Sequence, residues 1–115
     1  MDPIEGFGDI GKYENNLKEG KCYLKTKSYC YKEFFTQLIG NDLYFYKKKG
    51  DSDHKIMHSL KGTFIEIKPV ELDIRENQMW PVKIMIPPVK SRVIYFDTEA
   101  EQKEWARYIQ NIVGN

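Results

Sequence analysis

The residues best suited to do chemistry in this chain are its lysines. Positions 21–55 hold eight of them against four acids, a local surplus of +4 in a chain whose net charge is only +1. Lys25, Lys27 and Lys32 fall close together, Lys47-Lys48-Lys49 form a run, and Lys90 and Arg92 add a late basic pair. One exposed ion pair is worth only about 0–1 kcal/mol, so binding a phosphate group takes several cations converging from separate loops. An anionic membrane surface would add about 1 kcal/mol per cation near it. The rest of the chain carries no surplus: residues 1–20 hold two lysines against five acids, and residues 56–115 balance. Such a distribution describes a patch on one face, not a protein coated for nucleic acid.

Other chemistries find less support. His54 and His58 are four apart, but no thiol or acidic ligand follows at zinc spacing, so no metal is expected. Cys22 or Cys30 beside a histidine lacks the glycine elbow and orienting group of a nucleophile, and no glycine-rich phosphate loop occurs. The chain therefore reads as non-catalytic, without a cofactor. Aromatics beside cations also mark single-strand nucleic-acid binders, yet the glycine-aromatic core of an RNA-recognition strand is missing. Tyr23, Tyr29, Tyr31, Tyr44 and Tyr46 read mainly as packing residues. Tyr29 and Tyr31, placed in or beside a loop, are candidate phosphorylation sites, because added negative charge among the lysines would oppose docking on an anion. Two cysteines imply reduced thiols in a cytosolic protein. No apolar run approaches the roughly 18 residues of a spanning helix, so membrane contact is expected to be peripheral, and the chain monomeric.

The elements that must position these cations are mostly strands. Residues 1–17, dense in glycine, read as a leader or linker, with the domain over 18–115. Alternation predicts strands over 20–27, 31–39, 43–47, 55–60, 63–68, 80–86 and 93–96. Cys22 and Leu24 are expected to face inward while Lys21, Tyr23 and Lys25 face out. Short connections predict antiparallel neighbours. Setting the first and third strands side by side would bring Lys25 and Lys27 near Lys47, Lys48 and Lys49. Lys90-Ser91-Arg92 reads as a second basic loop after Pro87-Pro88. The chain then ends in a helix from Thr98, opened by the capping box Thr98-Glu99-Ala100-Glu101. Trp105, Tyr108, Ile109, Ile112 and Val113 form its apolar stripe, with Gln102 assigned to the solvent side. Seven short strands and one amphipathic helix predict a mainly β fold: a bent antiparallel barrel or sandwich with the helix over one open end.

In this order the elements resemble the pleckstrin-homology (PH) family. The resemblance covers about residues 18–114 and rests on Glu19-Gly20 opening the first strand, Lys25 near its end, and the aromatic second strand with Tyr31, Phe34 and Phe35. It continues through the Gly40-Asn41-Asp42 turn, the strand LYFYKKK and the closing helix with a central tryptophan. The stretch FFTQLIGNDLYFY is similar to adaptor-type members, such as those joining this domain to a Src-homology-2 domain. The resemblance implies a non-enzymatic module that docks anionic phospholipid or inositol-phosphate headgroups, or a signalling protein partner, at its open end. The headgroup contacts would come from Lys25, Lys27, Lys32, Lys47, Lys48, Lys49, Lys90 and Arg92. One departure points to modest specificity. Headgroup binders of the family usually carry a basic residue two positions beyond a lysine of the second strand, and here that position is Phe34, with Glu33 between. Phenylalanine cannot offer arginine's bidentate fork.

Overall fold

A computed structural model describes residues 16–27 and 29–113. The leader expected over 1–17 falls outside these residues except for its last two, which open the first strand. The elements are β1 (Asn16–Lys27), β2 (Cys30–Ile39), β3 (Asp42–Tyr46), β4 (Ile56–Ser59), β5 (Phe64–Ile67), β6 (Glu71–Leu72), β7 (Gln78–Ile86), β8 (Lys90–Phe96) and one helix, α1 (Glu99–Val113). All strand pairs are antiparallel, in the order β4-β3-β2-β1-β8-β7-β5, with β6 paired to β7 off this path. The sheet bends around its core but does not close, since β4 and β5 end the order without pairing to each other.

Three expectations need correction. The polar stretch after Pro69 contributes the two-residue β6 through Glu71↔Met79 and Leu72↔Gln78, an eighth strand among the described residues beside the seven expected. Lys90-Ser91-Arg92 is strand, not loop: the turn at residues 87–89 is tight enough that pairing resumes at once, with Ile86↔Lys90 and Ile84↔Arg92. The first and third strands are not neighbours. Each short turn folds its strand back on the preceding one, so β2 lies between β1 and β3.

The inner face follows the period-2 pattern. Cys22 and Leu24 of β1, Phe34, Thr36 and Leu38 of β2, Leu43 and Phe45 of β3, and Val82, Ile84, Ile94 and Phe96 are all buried. Burial pushes the Cys22 thiol far above its ordinary range. On β5 it is Ile65 that packs on the core, while Phe64 points outward.

The helix begins as its cap predicts, with the Glu101 amide donating to Thr98 Oγ1 at 3.1 Å. The glutamate carboxylate completes the box differently, accepting from the Thr98 hydroxyl at 3.2 Å and not from its amide. Trp105 stacks on Phe96 with ring centroids 5.6 Å apart, its indole edge lying beside Gly20. The buried stripe of α1 is Gln102, Trp105, Ala106 and Ile109, with Tyr108, Ile112 and Val113 half-buried at its margin. Gln102 is thus core, against expectation. Its amide donates to Pro81 O at 2.7 Å and to Lys68 O at 3.0 Å, giving donors to carbonyls that the helix covers; Pro81 O also accepts from the Lys68 amide at 3.3 Å. Lys18 fastens the other flank through Glu104 at 2.8 Å and lies 5.2 Å from the Trp105 and Tyr108 ring centres.

Two substitutions test this seam by chemical denaturation. Trp105→Ala is expected to cost about 3–5 kcal/mol, the usual result of emptying a large aromatic site. Gln102→Leu, close in size and apolar, is expected to cost about 1–3 kcal/mol by removing this donor from the Lys68 carbonyl and the shorter of two bonds from that of Pro81. A neutral Gln102→Leu result would show that the amide fills space only.

Candidate functional site

Where the cations point is decided by strand register. Residues directly opposed across an antiparallel pair share a face, so Lys32, opposite Leu24, belongs to the inner-face row of β2. Its ammonium lies 5.6 Å from the Phe34 ring centre. Lys25, opposite Tyr31, belongs to the outer face. A bulge between Lys25 and Lys27 then inserts one extra residue, Thr26, and sets Lys27 opposite Cys30, in the same row as Lys32. The bulge therefore separates two lysines that sequence alternation alone would place on one face.

Lys25 is also taken out of the cationic set by a partner. Its ammonium meets Glu71 at 3.2 Å, and the same carboxylate accepts from the Tyr31 hydroxyl at 3.2 Å and from the Tyr95 hydroxyl at 3.3 Å. The hydrogen bond to Glu71 raises the Lys25 pKa, and desolvation, with Glu71 nearby, raises those of both tyrosines. Tyr31 further packs edge-on against Tyr95 at 4.9 Å. Of the two tyrosines proposed for modification, Tyr31 thus has its hydroxyl engaged, whereas Tyr29 stands 60% exposed in the β1–β2 turn at φ 64°.

The remaining sequence-selected residues spread around the same end of the sheet. Lys47, Lys48 and Lys49 are exposed in the loop after β3, which a Lys48–Asp51 turn closes by reciprocal bonds of 3.0 and 3.2 Å. Lys49 lies 5.8 Å from the ring centre of Phe35, an outer-face residue. Lys90 opens β8 at the exposed hairpin end. Arg92, on the inner-face row with Ile94, donates from Nε to His58 Nε2 of β4 at 3.0 Å, so it spans from one half of the bent sheet to the other. As acceptor, that His58 nitrogen carries no proton. Partial burial and the neighbouring guanidinium both lower the pKa of His58.

These placements converge on a cleft. β1 and β8 pair only at Tyr23↔Tyr95 and Leu24↔Ile94. Beyond that they part around a space of about 410 Å³ lined by Thr26, Lys27, Ser91 and Arg92, with Lys25 at its outer edge. None of its lining residues is acidic. A larger cleft of about 740 Å³ between the β1–β2 turn and residues 73–79 has Asp73, Glu76 and Asp97 against the lone cation Arg75, which suits an anion poorly. Phe34 does not stand in the cleft where an arginine fork would be useful; it is buried edge-on against Phe45. Glu33, opposite Tyr23, lies on the face away from Lys32. Sequence reasoning missed Glu71 and His58, the partners that withhold Lys25 and orient Arg92. Both act across more than 30 positions of sequence, and no local pattern marks them.

An incompletely closed antiparallel sheet, one C-terminal helix and a cationic cleft at the splayed strand ends define a small β module of the docking type. The PH domain family profile matches residues 4–114, and the chain belongs to that family. A comparison with curated proteins finds no match. Among solved structures, the C-terminal PH domain of pleckstrin in complex with D-myo-Ins(1,2,3,4,5)P5 is similar with TM-score 0.66 and 19% identity, covering 85% of this chain and 98% of that one. The C-terminal PH domain of human pleckstrin 2 gives 0.69 and 18%, covering 88% and 84%. The Slm1 PH domain in complex with phosphoserine gives 0.69 and 13%, covering 89% and 99%. At these identities the likeness concerns the fold.

The Arg92–His58 contact predicts a pH effect. Because folding lowers the histidine's pKa below its ordinary 6.5, the unfolded chain binds the proton first. Stability is full above about pH 6.5 and falls as pH drops from there toward the lowered folded value. Thermal unfolding between pH 7.5 and 5.5 should show this loss, and His58→Gln should flatten it. An unchanged slope in the variant would assign the loss to other groups.

Proposed function

We propose that this chain is a non-catalytic PH module that recruits a cytosolic signalling or adaptor protein to anionic, phosphoinositide-containing membrane surface, with modest headgroup specificity. The observation that carries the reading is the cleft between the parted ends of β1 and β8, whose lining includes Lys27 and Arg92 and no acid. Lys32, Lys47, Lys48 and Lys90 extend the positive field around it. Lys25 and Lys49 contribute less, the first neutralised by Glu71 and the second drawn toward the outer face. The neighbours solved with an inositol pentakisphosphate and with phosphoserine support anion docking in this fold. Modest specificity follows from the buried Phe34, because lysines offer point charges and not a planar fork. Tyr29 is the residue through which phosphorylation would weaken docking. Among the described residues no helix is long and apolar enough to cross a membrane. The docking unit in this reading is the domain over residues 18–115, acting as a monomer.

One observation favours protein docking as a second reading. The edge strand β5 and α1 flank an apolar groove of about 450 Å³ at Ile65, Ile67 and Ala106, a surface suited to an added peptide strand. Salt separates the two, since lipid attraction fades with ionic strength and an apolar protein contact does not.

Vesicle co-sedimentation tests the proposal, with neutral lipid, phosphatidylserine and single phosphoinositides compared at low and physiological salt. The double variant Lys27→Ala, Lys32→Ala is expected to lose about tenfold or more in affinity for anionic vesicles, at about 1 kcal/mol per cation. Lys25→Ala should bind nearly as the unaltered chain does. The reverse ranking would move the site to the outer face, and no sedimentation at low salt would leave protein docking as the function.

A further inference from the structure

β5 ends the strand order, so one of its edges has no neighbouring strand among the described residues. The groove between it and α1, about 450 Å³, has an apolar lining of Ile65, Ile67 and Ala106. Its other lining residues are the exposed Lys103, Arg107 and Gln110, two cations and no acid. Ile67 is left 49% exposed. Lys103 meets Glu99 of its own helix at 3.1 Å, an exposed pair of the kind worth only about 0.3–0.5 kcal/mol, which a carboxylate arriving from elsewhere can replace. Such a surface fits an acidic segment carrying an apolar anchor.

We infer that the chain's own residues 1–15 cover this groove, with Phe7 on its apolar lining and Glu5 and Asp9 against Lys103 and Arg107. Residues 1–15 lie outside the described ones; their composition and the place where β1 begins support the assignment. They carry Asp2, Glu5, Asp9 and Glu14 against Lys12 alone, which complements the cationic rim. Glu5-Gly6-Phe7-Gly8-Asp9 sets one aromatic between two carboxylates, and the adjoining glycines have no side chain to hold it off a surface. Covering Ile65 and Ile67 with Phe7 gains by the apolar area removed from water. β1 begins beside the same helix, since Lys18 meets Glu104 at 2.8 Å and Gly20 lies beside Trp105. The groove is on the opposite flank of α1, about one helix diameter or 10–12 Å away. Fifteen extended residues reach at most about 50 Å, ample for that crossing. The tether also favours this occupant over a second copy or a free peptide, because it holds the segment at an effective concentration in the millimolar range. The contact does not depend on the membrane reading above, and it sets residues 1–15 in competition with any peptide partner for the groove.

Amide NMR on the full chain tests this. Phe7→Ser should move the signals of Ile65, Ile67, Ala106 and Gln110 and leave those of Lys27, Ser91 and Arg92, which line the cationic cleft, in place. The signals of the unaltered chain should not change on dilution. A synthetic peptide of residues 1–15 should bind the Phe7→Ser chain about tenfold or more tightly than the unaltered one, in which the groove is already filled. Arg107→Glu should free the groove in the same way, and Asp9→Lys in that chain should return the Ile65 and Ile67 signals toward their unaltered positions. Groove signals indifferent to Phe7→Ser, or equal peptide affinity for the two chains, overturn the assignment. Groove signals that change on dilution overturn it as well, by giving the groove to a second copy.

Discussion

The contact between Trp105 and Phe96 sets the rest of this structure. A sheet that bends without closing leaves its hydrophobic interior open at one end, and α1 covers it. Stacking the indole on the last residue of β8 ties the helix to the strand it directly follows. Gln102, one turn earlier, makes the cover possible where the sheet's own carbonyls of Lys68 and Pro81 face the helix. A purely apolar helix would leave the Lys68 oxygen without this donor, at about 1–3 kcal/mol, and the Pro81 oxygen with only the longer bond from the Lys68 amide. Against a typical total stability of about 5–15 kcal/mol, that makes one glutamine a large part of the seam.

With one end sealed, the opposite end is free to part. β8 is anchored by the helix and by seven residue pairs with β7, yet meets β1 at only two. The strands therefore diverge where Lys27 and Arg92 lie, and the parted ends create a space that a fully paired sheet would not contain. The same economy explains the charge pattern around it. A β-bulge turns Lys27 to the inner row, Glu71 holds Lys25 outside, and His58 braces Arg92 across the fold. What looks in sequence like one basic cluster is a sorted set, with some cations free for an anion and others spent on structure.

The apolar groove beside α1 and the cationic cleft share no lining residue, and their physics differs. Charge attracts at a distance of a Debye length, roughly 8–10 Å at moderate salt, but gives little grip once screened. Apolar burial acts only on contact and is insensitive to salt.

The sequence by itself determined the class and order of elements. Period-2 alternation set Cys22 and Leu24 on the buried face of β1, and the Thr98 capping box with Trp105 and Ile109 located the helix and part of its buried stripe. These signals are local, arising from the geometry of one strand or one helix, so they survive without knowledge of partners. Tertiary structure alone decided which lysines share a face. The bulge at Thr26 reverses a parity that alternation would have kept, β2 separates strands that had been imagined as neighbours, and Glu71 reaches Lys25 from 46 residues away. Gln102 was misread for the same reason: a polar side chain belongs in a core only when specific carbonyls wait there, and that depends on where the distant strand ends fall. Faces are encoded by short-range periodicity, whereas a site depends on register and long-range pairing.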